Sequence, residues 1–191
     1  MKGGSKMEEK VKGVMLLPYQ ELIKASPSLD WNKYLKNEDW DVIRGRILNL
    51  WYPFGTFERC GLAAFNLIAK KNFKAVRIWA KQSATQIFHI YKMIVEAGNP
   101  ISGISNMLGI RTILFNFNLF DAEIEKIDDR HIKTSSIAKK KTAEGIEAFN
   151  YQLIGWFEYI IEQNNGKRPK IEILAKQWAG APKTILDIKW E

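Results

Sequence analysis

The hydrophobic period of this chain changes at about Leu119, and that change limits the folds open to it. Before this point apolar residues recur every three or four positions, as on helices. After it, Phe120, Ala122 and Ile124 alternate with Asp121, Glu123 and Glu125, the two-residue period of a strand. Asp128-Asp129 suits a reversal, and Arg130 to Ile137 returns as a second strand. A helical pattern follows from about Thr142 to Gln163, with Ile146, Phe149, Leu153, Phe157 and Ile160 on one side, and Asn164-Asn165-Gly166 stops it. Ile171-Glu172-Ile173 and the run from Thr184 to Trp190 then flank a turn at Trp178-Ala179-Gly180-Ala181-Pro182. In the last run Leu186, Ile188 and Trp190 share one face. The tail therefore reads as ββαββ.

The front part reads as helices. Val11 to Leu17 is a strand or an extended lead-in to a helix near Pro18, which the first helical turn tolerates. Ser28 is a candidate cap for a helix through Trp31. Trp40, Ile43, Ile47 and Leu50 form one stripe, broken by the Pro and Gly of Trp51-Tyr52-Pro53-Phe54-Gly55. Thr56 is a candidate cap for the helix carrying Phe57, Leu62, Phe65 and Ile68. The longest pattern runs from Val76 through Trp79, Ser83, Ile87, Ile90 and Ile94 to Ala97, and Gly98-Asn99-Pro100 ends it. A last helix runs from about Ile101 to Thr112. The fold expected is α+β, one domain over residues 1–191: residues 1–10 disordered, 11–114 mainly helical, and 115–191 a ββαββ part. The helical cluster is expected to pack on a four-stranded antiparallel sheet.

The chemistry available is narrow. His89 and His131 lie about forty residues apart, too far in sequence to suggest a shared site, and adjacent Asp128 and Asp129 suit a turn better than a catalytic pair. Gly103 and Gly109 make no nucleotide fingerprint. The single cysteine, Cys60, excludes an internal disulfide and an all-cysteine zinc site. It sits near a helix start, where a dipole can lower a thiol pKa, but reads first as a small packing residue. No catalytic residue and no metal site are expected, and an enzymatic reading comes last. The polar opening, Met1 to Lys6, is no secretory signal, and charges interrupt every apolar stretch before about 18 residues, so a soluble cytoplasmic chain is expected.

A formal charge of +8 leaves nucleic acid open as a partner. Two segments, Ile101 to Leu114 and Ile173 to Ile185, partly match a helix-turn-helix, but the alternation after Thr184 suits a strand better. The densest run, Lys139-Lys140-Lys141, reads as a solvated connection. With 7 Trp, 10 Phe and 6 Tyr, the chain has ample aromatic surface for a core or for an apolar pocket.

The order of the tail, with its charged hairpin at Asp128-Asp129, the small-residue turn Trp178 to Thr184 and the closing Ile188-Lys189-Trp190, resembles the superfamily of four-vinyl-reductase and predicted hydrocarbon-binding domains. That superfamily also holds heme-nitric-oxide-binding sensor domains and vesicle-tethering subunits, and the chain most resembles uncharacterised members of myxobacterial, delta-proteobacterial type. The similarity covers about residues 115–191 in motif and the rest in helix order. It implies a helical layer on an antiparallel sheet with an apolar cavity between them, a hydrophobic ligand and a homodimer.

The expected function is thus a non-enzymatic sensory or regulatory domain binding a hydrophobic small molecule. A nucleic-acid-binding regulator and a dimeric scaffold are the alternatives. Trp51, Phe54, Phe57, Phe65, Trp79 and Phe115 are the aromatics expected to line the pocket, and Ser83 is expected to supply a polar contact. The resemblance implies a Tyr-x-Ser-x-Arg clamp and an inward helical histidine for heme. The clamp is absent and His89 falls on the polar side of its helix, so no cofactor is expected and heme is disfavoured. Cys60 is the only counterpart of the acylated cysteine of some tethering subunits, without their surrounding motif.

Overall fold

The structure, a computed structural model, describes residues 8–47, 49–139 and 142–191. It divides into two compact units, one up to Ile68 with Thr112–Phe117, the other Ala69–Arg111 with Asn118–Glu191.

In the first unit β1 (Lys10–Lys12) pairs antiparallel with β2 (Trp51–Pro53), Val11 opposite Tyr52. Val11 also bridges Phe115, and Asn116 ties the neighbouring backbone down: its Oδ1 accepts from Lys10 N at 2.6 Å and its Nδ2 donates to Glu8 O at 2.9 Å. Of the residues expected to be disordered, 1–7 lie outside the described residues, and Lys10 is in β1. A single 3-10 turn, Gly13–Met15, leads into α1 (Leu17–Ala25), which carries Pro18 in its first turn. α2 (Asn37–Arg44) opens with the Asp39 carboxylate accepting from Lys36 N at 2.8 Å, a carboxylate reaching back to cap its own helix. α3 (Phe54–Leu67) follows β2 directly.

Three expectations in this unit need correcting. The helix foreseen at Ser28 is only a 3-10 turn, Trp31–Lys33, without a side-chain cap. α2 stops at Arg44 before Gly45, so Ile47 and Leu50 leave the stripe and Leu50 is exposed. Thr56 lies inside α3 and caps nothing; its hydroxyl donates to Asp39 Oδ1 at 2.6 Å.

The second unit begins with α4 (Phe73–Phe88), where the Asn72 side chain accepts from Lys74 N and Ala75 N. The continuous helix expected as far as Ala97 ends nine residues short of it. The apolar spacing persists through Ile90 and Ile94, but the chain turns at His89–Tyr91 into the one-turn α5 (Lys92–Val95), leaving Ile90 half exposed. Gly98, at φ +82°, takes the left-handed conformation foreseen for it. α6 (Pro100–Gly109) is capped by Asn99, and α7 (Arg111–Leu114) spans the junction of the units in sequence.

The tail has the order read from its periods: β3 (Phe120–Asp128), β4 (His131–Ala138), α8 (Ala143–Gln163), β5 (Lys170–Ala175) and β6 (Thr184–Lys189). The sheet order is β3-β4-β6-β5, all antiparallel, with Ile132 opposite Ile188 and Thr134 opposite Leu186. The last run is therefore a strand and not a recognition helix. Thr142 caps α8 through Gly145 N; Lys140 and Lys141 of the lysine run lie outside the described residues.

α8 covers one face of the sheet. Phe149 meets Phe120 at 5.0 Å between ring centres, Ser136 Oγ donates to Asn150 Oδ1, and Ile132, Leu186 and Ile188 are buried. Each such side chain contributes about 1.5–3 kcal/mol. α4 crosses α8 at Gly155, where a Cβ would meet the Arg77 carbonyl oxygen and lie 2.9 Å from both Ala80 Cβ and Lys81 N. Arg77–Glu158 and Lys81–Glu162 pair across the same two helices, at 2.6 and 2.7 Å.

Candidate functional site

The sequence-based site residues divide between the units. In the first, Phe54 and Phe57 at the start of α3 and Phe115 from the 112–117 segment form one cluster with centres 5.7 to 6.1 Å apart, Phe115 edge-on to both and Phe54 tilted against Phe57. Two rings not picked out from the sequence complete it. Phe117 stands 4.7 Å from Phe54, and Tyr19 of α1 lies 5.5 Å from Phe57. Phe117 reads in the sequence as one more apolar residue after a helix; its membership depends on the Val11–Phe115 bridge, which no local pattern reveals. Phe65 is buried farther along α3, whereas Trp51 is 41% exposed with the Lys12 ammonium 4.4 Å over its ring. Trp79 and Ser83 belong to α4 in the second unit. Ser83 is buried, and its hydroxyl already donates to the Ala80 carbonyl at 3.2 Å.

Beside the cluster α3 carries the charged part of the first unit. Asp39 is fully buried and receives hydrogen bonds from Arg59 Nε and Nη2, Thr56 Oγ1 and Lys36 N. Burial alone would raise its pKa, but these donors hold it below the ordinary carboxyl value. Cys60, next to Arg59, is wholly buried, and burial pushes its thiol up to about 12, with the Asp39 charge adding to the effect. A thiol held protonated is no nucleophile, which removes the activated-cysteine reading and leaves the packing one.

In the second unit two buried polar atoms have no hydrogen-bond partner among the described residues: the Tyr91 hydroxyl, between α4 and α5, and the Trp156 indole nitrogen in α8. Trp156 packs edge-on to Phe88 at 5.6 Å. Burial raises the Tyr91 phenol pKa. Buried polar atoms are almost always satisfied, so an orphaned hydroxyl is an exception that calls for a physical account. Neither residue stood out in the sequence, because satisfaction of a polar atom depends on distant neighbours.

The histidines do not cluster. His89 is exposed at the end of α4. His131 on β4 donates through Nε2 to Asp187 Oδ1 on β6, at 2.6 Å. Burial works against the Asp187 charge, but His131 and Lys189 outweigh it and lower its pKa. Among the described residues no three of His, Cys, Asp and Glu gather as for a metal ion, and no helix is long and apolar enough to cross a membrane.

No family model matches the sequence, and no curated protein does. Solved structures match it well. An H-NOX protein from S. oneidensis in the Fe(II)NO ligation state superposes with a TM-score of 0.68 at 9% identity, covering 94% of this chain and 99% of that one. A structure from work on heme distortion in the H-NOX family gives 0.64 at 11%, covering 94% and 95%. An oxygen-binding H-NOX domain related to soluble guanylate cyclases, in its oxygen complex, gives 0.62 at 12%, again covering 94% and 95%.

These matches overturn the expectation that no cofactor is present and that heme is disfavoured. The structures sharing this architecture are described by their heme and their iron ligation states. The expectation failed because it rested on two local signatures, a Tyr-x-Ser-x-Arg clamp and an inward helical histidine. Backbone architecture is shared here at identities of 9 to 12%. This chain has the fold of the H-NOX structures.

Proposed function

We propose that this chain is a sensory small-molecule-binding domain that holds an iron porphyrin and, through it, a diatomic gas such as nitric oxide or dioxygen. The observation that carries this reading is the match to H-NOX structures along nearly the whole of both chains. It favours small-molecule ligation over the nucleic-acid alternative that the charge of +8 left open. The hydrophobic ligands implied by the four-vinyl-reductase resemblance are chemically of the same kind, since a tetrapyrrole is a largely apolar disc.

An iron porphyrin needs an axial donor, for which proteins use His, Cys, Met or Tyr. Among the histidines and the cysteine, His131 has its Nε2 engaged by Asp187, His89 is exposed, and Cys60 is wholly buried in the first unit. Tyr91 offers a buried phenol oxygen with no partner among the described residues; burial raises its pKa, so iron would have to displace its proton on binding, and on that basis the residues present fit the group through this oxygen. Tyr91 would hold the iron, and the porphyrin iron would supply the atom to which a gas binds. Trp51, Phe54, Phe57, Phe65 and Phe115 of the first unit, and Trp79 of the second, remain proposed apolar ligand contacts, each taken within its own unit. Ser83 is a weaker contact, because its hydroxyl is already used.

Titration of the purified chain with hemin tests the reading. A sharpened Soret band saturating at one equivalent is expected, and Tyr91→Phe should shift that band. A hemin spectrum unchanged by the protein overturns the proposal; a band identical in Tyr91→Phe overturns the assignment of Tyr91.

A further inference from the structure

A groove of about 480 Å³ in the second unit lies between α4, α8 and the start and end of β5. Its floor is apolar, built from Ile154 of α8 and from Ile171 and Ile173, which alternate on one face of β5, with Ile78 on the α4 side. Glu172, between the two β5 isoleucines, is on the opposite face of the strand. The rim is cationic. Arg77 lines the groove, but its guanidinium is taken up by Glu158 through two hydrogen bonds of 2.6 and 3.1 Å. Lys74 and Lys176 also line it, are exposed, and take part in no ion pair among the described residues. The groove thus joins an apolar trough to two uncompensated positive charges.

We infer that this groove binds a free amphipathic monocarboxylate, its carboxylate between Lys74 and Lys176 and its hydrocarbon chain on Ile78, Ile154, Ile171 and Ile173. The volume falls within the range of about 300–1,000 Å³ usual for small-molecule sites and is too small for a folded partner. Apolar burial holds the chain, and charge-assisted hydrogen bonds select the carboxylate over a neutral head. The Arg77–Glu158 pair braces α4 against α8 and supplies a wall that does not compete for the anion. Every lining residue belongs to the second unit and none is among the proposed porphyrin contacts, so the site needs no porphyrin.

The test is titration of the full chain with decanoate below its micellar concentration, followed by calorimetry and by the methyl signals of the isoleucines. Decanoate should bind at one equivalent and shift the signals of Ile171 and Ile173. The double variant Lys74→Gln/Lys176→Gln should bind at least about tenfold more weakly, as should decan-1-ol to the wild type. Ile78→Glu, at a position 59% exposed and therefore tolerant, should abolish binding without lowering the melting temperature. The inference is overturned if decanoate does not bind, if decanol or the double variant binds equally well, if shifts appear only outside the groove, or if the chain takes up only anionic vesicles. Hemin binding is expected to be the same in the double variant, so this experiment and the hemin titration can fail independently.

Discussion

Arg59 grips Asp39 with two hydrogen bonds, Nε to Oδ2 at 2.6 Å and Nη2 to Oδ1 at 2.7 Å, on a carboxylate wholly removed from solvent. The pair links α3 to α2, and Thr56 and the Lys36 amide supply further donors to the same carboxylate. Losing one partner of such a pair leaves an uncompensated buried charge. Arg59→Met is therefore expected to cost about 3–5 kcal/mol in urea denaturation. A cost under about 1 kcal/mol would place the pair with ordinary surface ion pairs.

The same carboxylate sets an acid response. Its folded pKa lies below the ordinary 3.8, so its stabilisation is fully present above that value and is lost as pH falls through the folded one. Asp39→Asn should thus be less stable than wild type at pH 7, with the gap narrowing below about pH 4. A gap that stays constant down to pH 2 would contradict the assignment.

Cys60 should be chemically silent. It is fully buried with its thiol raised to about 12, so a disulfide reagent at pH 8 should label it only as fast as the chain unfolds. Rapid labelling of the native protein would show that the α3 core opens.

Gly155 permits the close approach of α8 and α4. An added Cβ would strike the Arg77 carbonyl and crowd Ala80 and Lys81 N, all in the backbone-to-backbone part of the crossing. Gly155→Ala is expected to lose roughly 1–3 kcal/mol despite the better helix propensity of alanine, and Gly155→Val more. A stabilised Gly155→Ala would mean that the helices stand farther apart.

Asn164 joins three segments. Its Nδ2 donates to the Ile94 and Ile160 carbonyls, each at 2.8 Å, and its Oδ1 accepts from Gly98 N at 3.1 Å. Asn164→Leu leaves these groups without their partner and should cost at least about 1–3 kcal/mol. Asn164→Asp, which keeps the acceptor and loses the donor, should recover only part of that.

The second half of the fold was legible in the sequence because its periods are clean. Alternation marked β3 and β6, the reversal at Asp128-Asp129 placed β4, and the three-four spacing from Ile146 to Ile160 marked α8. Stops were less legible. The stripe of α4 continues through Ile90 and Ile94 although the chain has already turned at His89, since periodicity registers faces and not ends. Of the candidate site, Phe54, Phe57 and Phe115 could be chosen as large aromatics, and the structure does gather them. The Asp39–Arg59 pair spans twenty residues, the Tyr91 hydroxyl is notable only for lacking a partner, and the cationic groove joins residues about a hundred positions apart. Such features arise from tertiary proximity and leave no local pattern.

Native mass spectrometry of the chain produced with hemin in the growth medium tests the central claim most directly. The account predicts one iron porphyrin per chain, retained through desalting and lost on denaturation, and the same spectrum reads whether the chain is the homodimer its sequence resemblance implies. A spectrum holding only the bare chain mass, with hemin abundant in the cells, would contradict it.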